Sequence, residues 1–283
     1  MVGLNSKTII NQFALDIKLL QTSWPILSTD QRQAYLKITL NKALMAANLA
    51  SCAVHRVNLP SDTQGEFLSE NWSIGISQNL LNRPYLSTKD AASLAEMLYH
   101  EARHSEQIYR VAELLASSPP DGEQRTAQQI AQEVGTKNQS VIQRAVETAK
   151  YNSLQAMQFA QAHEWYQSIY GMFSHYRDQV FKQLDQAENT YTLLRLSYEK
   201  MIQEYNQLKK EYEAKVNNPQ VSEPLYSKLE QTYSHLKQEV DPEFGQAQAA
   251  YRKAYTRYKE LPEEADAFMI GSLAEKAYTE TIF

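Results

Sequence analysis

The residues best equipped for chemistry lie together at His100-Glu101-Ala102-Arg103-His104-Ser105-Glu106-Gln107. On a helix, positions i and i+4 share a face, so His100 and His104 can point at one metal ion. Glu101 falls about 100° further round. That places it beside the position the imidazoles leave open, where it can take a proton from a water on the metal. A zinc ion held in this way lowers the pKa of its water to ~7 and makes a nucleophile at neutral pH. His100 and His104 are therefore candidate ligands, and Glu101 is the candidate general base.

Catalytic zinc takes three protein ligands and one water. His55, His163, His175 and His235 are available. A better source is Leu261-Pro262-Glu263-Glu264-Ala265-Asp266-Ala267-Phe268. There Pro262 can open a helix, acidic residues follow in its first turn, and Asp266 can orient a neighbouring ligand. Glu101-x-x-His104 also fits half of a di-iron carboxylate site. Such a site needs a second Glu-x-x-His, and none of the four other histidines has Glu three residues before it.

The metal motif lies in a helical pattern over 89–116, capped by Ser87 or Thr88. Leu94, Leu98 and Leu115 fall on one side of it. Met97, the two histidines and Val111 fall on the other, as expected for a helix covered on both faces. Upstream, Phe67-Leu68 and Trp72-Ser73-Ile74-Gly75-Ile76 alternate apolar with small or polar residues, which reads as strand. Two helices come before that: one over 5–20, then, past Trp24-Pro25 and a cap at Ser28, Thr29 or Asp30, one running to about Ala53. Val57-Asn58-Leu59-Pro60 closes the second helix, and Ser117–Gly122 forms a loop.

From Ala127 onward the pattern is helical. Leu184, Ala187, Tyr191, Leu194, Tyr198, Met201, Tyr205, Leu208 and Tyr212 recur at the 3–4 spacing of a coiled-coil seam. After a break at Asn217–Pro224, the residues Leu229, Leu236, Phe244, Ala247, Tyr251 and Ala254 offer a facing seam, interrupted at Asp241-Pro242. Arms over 176–216 and 225–260 span roughly 60 and 54 Å at ~1.5 Å per residue. Such arms form an antiparallel hairpin that returns the chain close to where it left.

Composition limits the alternatives. Eight glycines and nine prolines in 283 residues are too few for the frequent turns of an all-β fold. A hydrophobic content of 43% supports a packed core and excludes wholesale disorder. Net charge is −5, so a nucleic-acid partner has no basic footprint to support it. The one cysteine, Cys52, reads as a small buried apolar residue. No apolar run approaches the ~18 residues of a membrane span. Lys7, Asp16 and Lys18 interrupt the N-terminal apolar stretch, which reads as an amphipathic helix rather than a signal peptide and implies a chain made in the cytoplasm.

HEARHSEQ followed by YKELPEEADAF resembles the zincin metallopeptidases with a glutamate third ligand. More narrowly, it resembles small bacterial zincin domains with HExxHxxQ and a downstream Y-x-x-x-P-x-E-x-[DE]-A segment, often found in secreted or injected effectors. The resemblance implies a Zn²⁺ cofactor held by His100, His104 and Glu264, with Glu263 as the adjacent alternative and Asp266 supporting the third ligand. It implies Glu101 as base, Tyr258 as donor to the oxyanion, and Trp72–Ser77 as the edge strand that pairs with substrate backbone. The substrate would be a protein or peptide. Export by a specialised secretion system is part of the same expectation, with the hairpin binding a target or the delivery machinery. His104 and Glu264 are 160 residues apart, more than in the family pattern, unless the hairpin is an insertion. The expected fold is mainly α, α+β with a minimal sheet: a zincin-like core of 1–175 plus 257–283 and a helical hairpin insertion of 176–256. A non-enzymatic coiled-coil scaffold or interaction protein is the alternative.

Overall fold

The computed structural model describes residues 3–59, 63–151 and 156–281. The fold is mainly helical with one three-stranded sheet. It forms two compact units: Met1–Ser174 with Leu261–Phe283, and His175–Glu260.

The first unit opens with α1 (Lys7–Ser23), which buries Ile9, Ile10, Phe13, Ala14, Ile17 and Leu20. A 3₁₀ turn at Trp24–Ile26 carries Pro25. Helix α2 (Thr29–Ala46) starts from Ser28, which forms a reciprocal capping box with Gln31. Such a box satisfies two backbone donors that a bare helix end leaves open.

Helix α2 stops at Ala46, short of the expected Ala53, and Asn48 takes a left-handed φ of 57°. Asparagine is among the few residues that tolerate this conformation. The chain then extends into strand β1 (Ala53–Val57), so sheet pairing overrides the helical propensity of this alanine-rich stretch. Pro60, assigned above to the helix end, lies outside the described residues.

Strands β2 (Gly65–Leu68) and β3 (Ser73–Ser77) complete the sheet, in the order β1-β3-β2. β3 runs parallel to β1 and antiparallel to β2. All five residues of β3 are buried. This corrects the expectation for Trp72–Ser77: β3 is the central strand, paired on both sides, and an outer edge belongs to β2. Alternation marks a strand but not its rank in the sheet, which depends on distant partners.

A short helix, α3 (Gln78–Leu81), leads to α4 (Thr88–Ser117), which begins at a capping box between Ser87 and Asp90. Helices α5 (Ala127–Glu133), α6 (Gln139–Tyr151) and α7 (Ala156–Ile169) follow. α4 runs through the core of the unit. It contacts α1, α2, α5, α6, α7 and β2, and most extensively the C-terminal α11 (Pro262–Glu280). Cys52 is buried in the same core, and burial pushes its thiol up to about 12.

The second unit is a hairpin. Its outgoing arm is α8 (Ser174–Lys215); the returning arm is α9 (Pro219–His235), a π turn at Leu236–Val240, and α10 (Asp241–Lys259). Ring contacts pair Tyr212 with Tyr226, Tyr205 with Tyr233, Tyr198 with Phe244, and Tyr191 with Tyr251. Partner numbers rise on one arm as they fall on the other, so the arms are antiparallel.

Two expected breaks are absorbed into helix. Pro224 lies inside α9, where it removes one ladder bond near the helix start. The π turn precedes Pro242, and the N–H of Asp241 reaches the carbonyl of Leu236 across five residues. This wider turn makes room for a ring that would clash with the ordinary i−4 carbonyl.

Candidate metal centre

The sequence places His100 and His104 one turn apart in α4. The fold supplies the third group by laying the first turn of α11 against that face. Gly271 permits the close approach: a Cβ there would sit 2.9 Å from the carbonyl oxygen of Glu96 and 3.2 Å from the Cβ of His100. The ring of Phe268 packs at 4.5 Å from that of His100. Leu261 is the N-cap and Pro262 opens the helix, so Glu263 and Glu264 fall in its first turn. Their carboxylates go different ways. Glu263 accepts a hydrogen bond from the Ser168 hydroxyl at 2.6 Å, while Glu264 joins the histidines.

His100 Nε2 and His104 Nε2 are 3.0 Å apart, and Glu264 Oε2 lies 3.7 and 3.4 Å from them. His100 is 8% and Glu264 4% exposed. Metal bonds of about 2.0–2.2 Å in a tetrahedron put neighbouring donors roughly 3.3–3.6 Å apart. The three separations bracket that value. His100, His104 and Glu264 thus form a buried group that could hold a metal ion.

The tautomer of His104 is set by its neighbours. The Gln107 amide nitrogen donates to the Glu263 carbonyl at 2.7 Å and to Asp266 Oδ2 at 2.9 Å. Both are acceptors, which fixes the orientation of the amide. Its oxygen then faces His104 Nδ1 at 2.9 Å and can only accept. Nδ1 therefore carries a proton, leaving Nε2 to face the other two ligand atoms. Asp266 also accepts a two-pronged bond from Arg103, at 2.7 and 3.1 Å. Its contacts support the His104 side of the group; the expectation that it props the third ligand directly is corrected accordingly.

Glu101 is beside the group. Its Oε1 is 4.0 Å from His100 Nε2, and its Oε2 accepts the Phe67 backbone N–H at 2.7 Å. Burial foremost raises its pKa to about 7, opposed by His104 and by the Phe67 N–H. Burial disfavours the His104 imidazolium, but Glu264, then Glu101 and Gln107, more than offset it and raise the pKa to about 9.

The Phe67 bond identifies the strand that borders the site. Ser77 N–H bonds to Gln64 O, so by register Glu66 and Leu68 face β3. The backbone groups of Gly65 and Phe67 point off the sheet, towards the side where Glu101 lies. A Cβ at Gly65 would fall 2.2 Å from Met97 Sδ, so glycine permits β2 to approach α4 this closely.

Tyr258 belongs to the second unit, edge-on to Phe181 at 5.3 Å and beside Tyr255. His55 is exposed on β1, and His163 is beside Phe159 and Gln167. His175 and His235 are in the second unit, near Gln179 and Glu239. Sequence reasoning passed over Arg103 and Glu106, both 2% exposed. Together with Arg110 and Glu113 they recur at three- and four-residue steps, a polar stripe that by its sequence reads as a solvated face; only the elements packed around α4 bury it. Among the described residues, no helix is long and apolar enough to cross a membrane. Comparison with protein-family models, with curated proteins and with solved structures returned no match.

Proposed function

We propose that the protein is a zinc-dependent metallopeptidase of the HExxH type. The observation that carries this reading is the buried donor triangle of His100, His104 and Glu264 with the Glu101 carboxylate beside it. Two imidazoles and a carboxylate are a donor set of catalytic zinc, which supplies Lewis acidity and acidifies a water when bound. Glu101, with its pKa near neutrality, is suited to take a proton and to return it to the departing amine. Gln107 and Asp266 hold His104 in register. The off-sheet edge of β2 at Gly65–Phe67 offers backbone groups to an extended peptide, taking the part first assigned to Trp72–Ser77. Delivery as an effector belongs to the same proposal and rests on the motif resemblance alone.

The test is elemental analysis joined to turnover. Purified protein should carry one zinc, and His100→Ala with His104→Ala should remove it. Glu101→Gln should keep the zinc and lower hydrolysis of a peptide library roughly 10²-fold or more. Zinc retained by the double variant would overturn the site; iron in its place would point to a different chemistry.

A second reading, an interaction protein working through the hairpin, draws on Leu193 and Leu196, which are 68% and 55% exposed on α8. A protein that folds without metal and hydrolyses nothing would favour it.

A further inference from the structure

Beyond the ligands, α4 carries buried charge that the proposed chemistry does not use. Arg103, Glu106, Arg110 and Glu113 follow one another at three- and four-residue steps, each at most 2% exposed. Buried ion pairs are weak stabilisers compared with apolar packing, so the ladder raises the question of what it holds in place.

We propose that Glu106 is a positioning residue for His104, acting through Arg103, Asp266 and Gln107. The inference rests on reading His104 as a metal ligand. Each link is a direct contact. The Glu106 carboxylate accepts from Arg103 Nη1. The other two guanidinium nitrogens grip Asp266, Asp266 accepts from Gln107, and Gln107 accepts the His104 Nδ1–H. A guanidinium is a planar fork, so fixing one nitrogen fixes the direction of the others. Arg103 also lies over the Trp165 ring, 5.1 Å from its centroid, which leaves rotation in its own plane as the freedom for Glu106 to remove.

Glu106 is itself clamped from a distant part of the chain. The Leu4 N–H donates to its Oε2 at 3.0 Å. Leu4 is fully buried, and its carbonyl accepts from the Tyr99 hydroxyl at 2.9 Å. A Cβ on Gly3 would come within 2.7 Å of Glu106 Oε1, so only glycine fits there without moving the carboxylate. Glu113 offers the contrast. It is equally buried, but it stands one link further from His104: its carboxylate pairs with Arg110 at 2.8 Å, and Arg110 reaches Glu106 only at 3.6 Å.

The experiment compares Glu106→Gln with Glu113→Gln. The first readout is hydrogen exchange at His104 Nδ1, followed by ¹⁵N-histidine NMR on zinc-stripped protein. The second is zinc affinity, by competition with a chelator. Glu106→Gln should speed exchange at His104 and weaken zinc about three- to tenfold, below the 10–100-fold loss typical of groups bonded directly to a ligand. Glu113→Gln should lower the melting temperature and leave both readouts at wild-type values. Gly3→Ala, which keeps the carboxylate but displaces it, should move the His104 signal in the same direction as Glu106→Gln. It serves as the deciding variant if Glu106→Gln does not fold. Unchanged exchange at His104, or equal shifts in the Glu106 and Glu113 variants, would overturn the proposal. If the wild-type protein takes up no zinc while exchange rises in Glu106→Gln alone, the metal reading fails and the positioning role stands.

Discussion

Two long helices use their length in opposite ways. α4, with 30 residues, buries nineteen of them, including two arginines and two glutamates. α8 has 42 residues and buries only Val180 and Leu208. α8 carries the more regular sequence pattern, yet that regularity describes a thin seam against one partner. α4 is surrounded, so its charged residues must find partners inside, and each partner fixes a direction. Buried charge with assigned partners can build a site; a repeating apolar seam builds a rod.

The largest effect that would break this contrast is expected at Gly271. Gly271→Val places a branched side chain against the Glu96 carbonyl and the Cβ of His100. Overpacking of this kind costs about 1–3 kcal/mol. Because it separates α11 from α4, it should also reduce zinc affinity. Denaturant titration and chelator competition check both; wild-type values would mean that the two helices need not be this close.

A smaller effect concerns pH. The His104 pKa in the fold, about 9, lies above its ordinary 6.5. The stability its proton contributes is therefore complete below pH 6.5 and lost as pH rises through about 9. Zinc must displace that proton, so apparent affinity should rise about tenfold per pH unit up to roughly 9 and then level off. A titration of zinc uptake from pH 7 to 10 checks the slope. Glu101, raised to about 7, titrates at the start of this range, so the slope is read above about pH 8, where it and carboxylates of ordinary pKa are ionised.

The smallest effect belongs to the hairpin. Tyr198 stacks on Phe244 with centroids 4.7 Å apart. Tyr198→Ala should remove a pair interaction of about 0.5–1.5 kcal/mol along with the area it buries. It should loosen the arms, seen by hydrogen exchange within α8 and α10, and leave zinc affinity unchanged, since all three donors belong to the first unit. A weakened zinc site in this variant would erase the distinction between the two helices.

What could be read in advance follows the range of the interactions. Ser28 and Ser87 announce their helices because a cap is settled within four residues. His100 and His104 share a face by the helical period alone, and the tyrosine seam announces a hairpin, although its ring partners Tyr226 and Tyr233 lie outside the facing seam expected for the returning arm. The rank of β3 in its sheet and the strand at Ala53–Val57, beyond the expected end of the helical pattern, depend on pairing with distant segments. The direction of the Asp266 carboxylate depends on Arg103, a residue 163 positions away. Glu263 and Glu264 are adjacent and chemically alike; the packing of α11 on α4 and the hydroxyl of Ser168 separate them.

The donor triangle has a topological meaning as well. His104 and Glu264 enclose a loop of 160 residues. A metal bridging them would act as a reversible crosslink, restricting the unfolded chain much as a disulfide does, on a scale of about 5 kcal/mol for a loop of this size. The cost of closing such a loop grows only with the logarithm of its length, about 0.6 kcal/mol per doubling. The whole hairpin lies within the loop. Its arms could grow or shrink by several turns with little change in the energy of closing the clasp, so the reach of the rod and the strength of the clasp are free to vary independently.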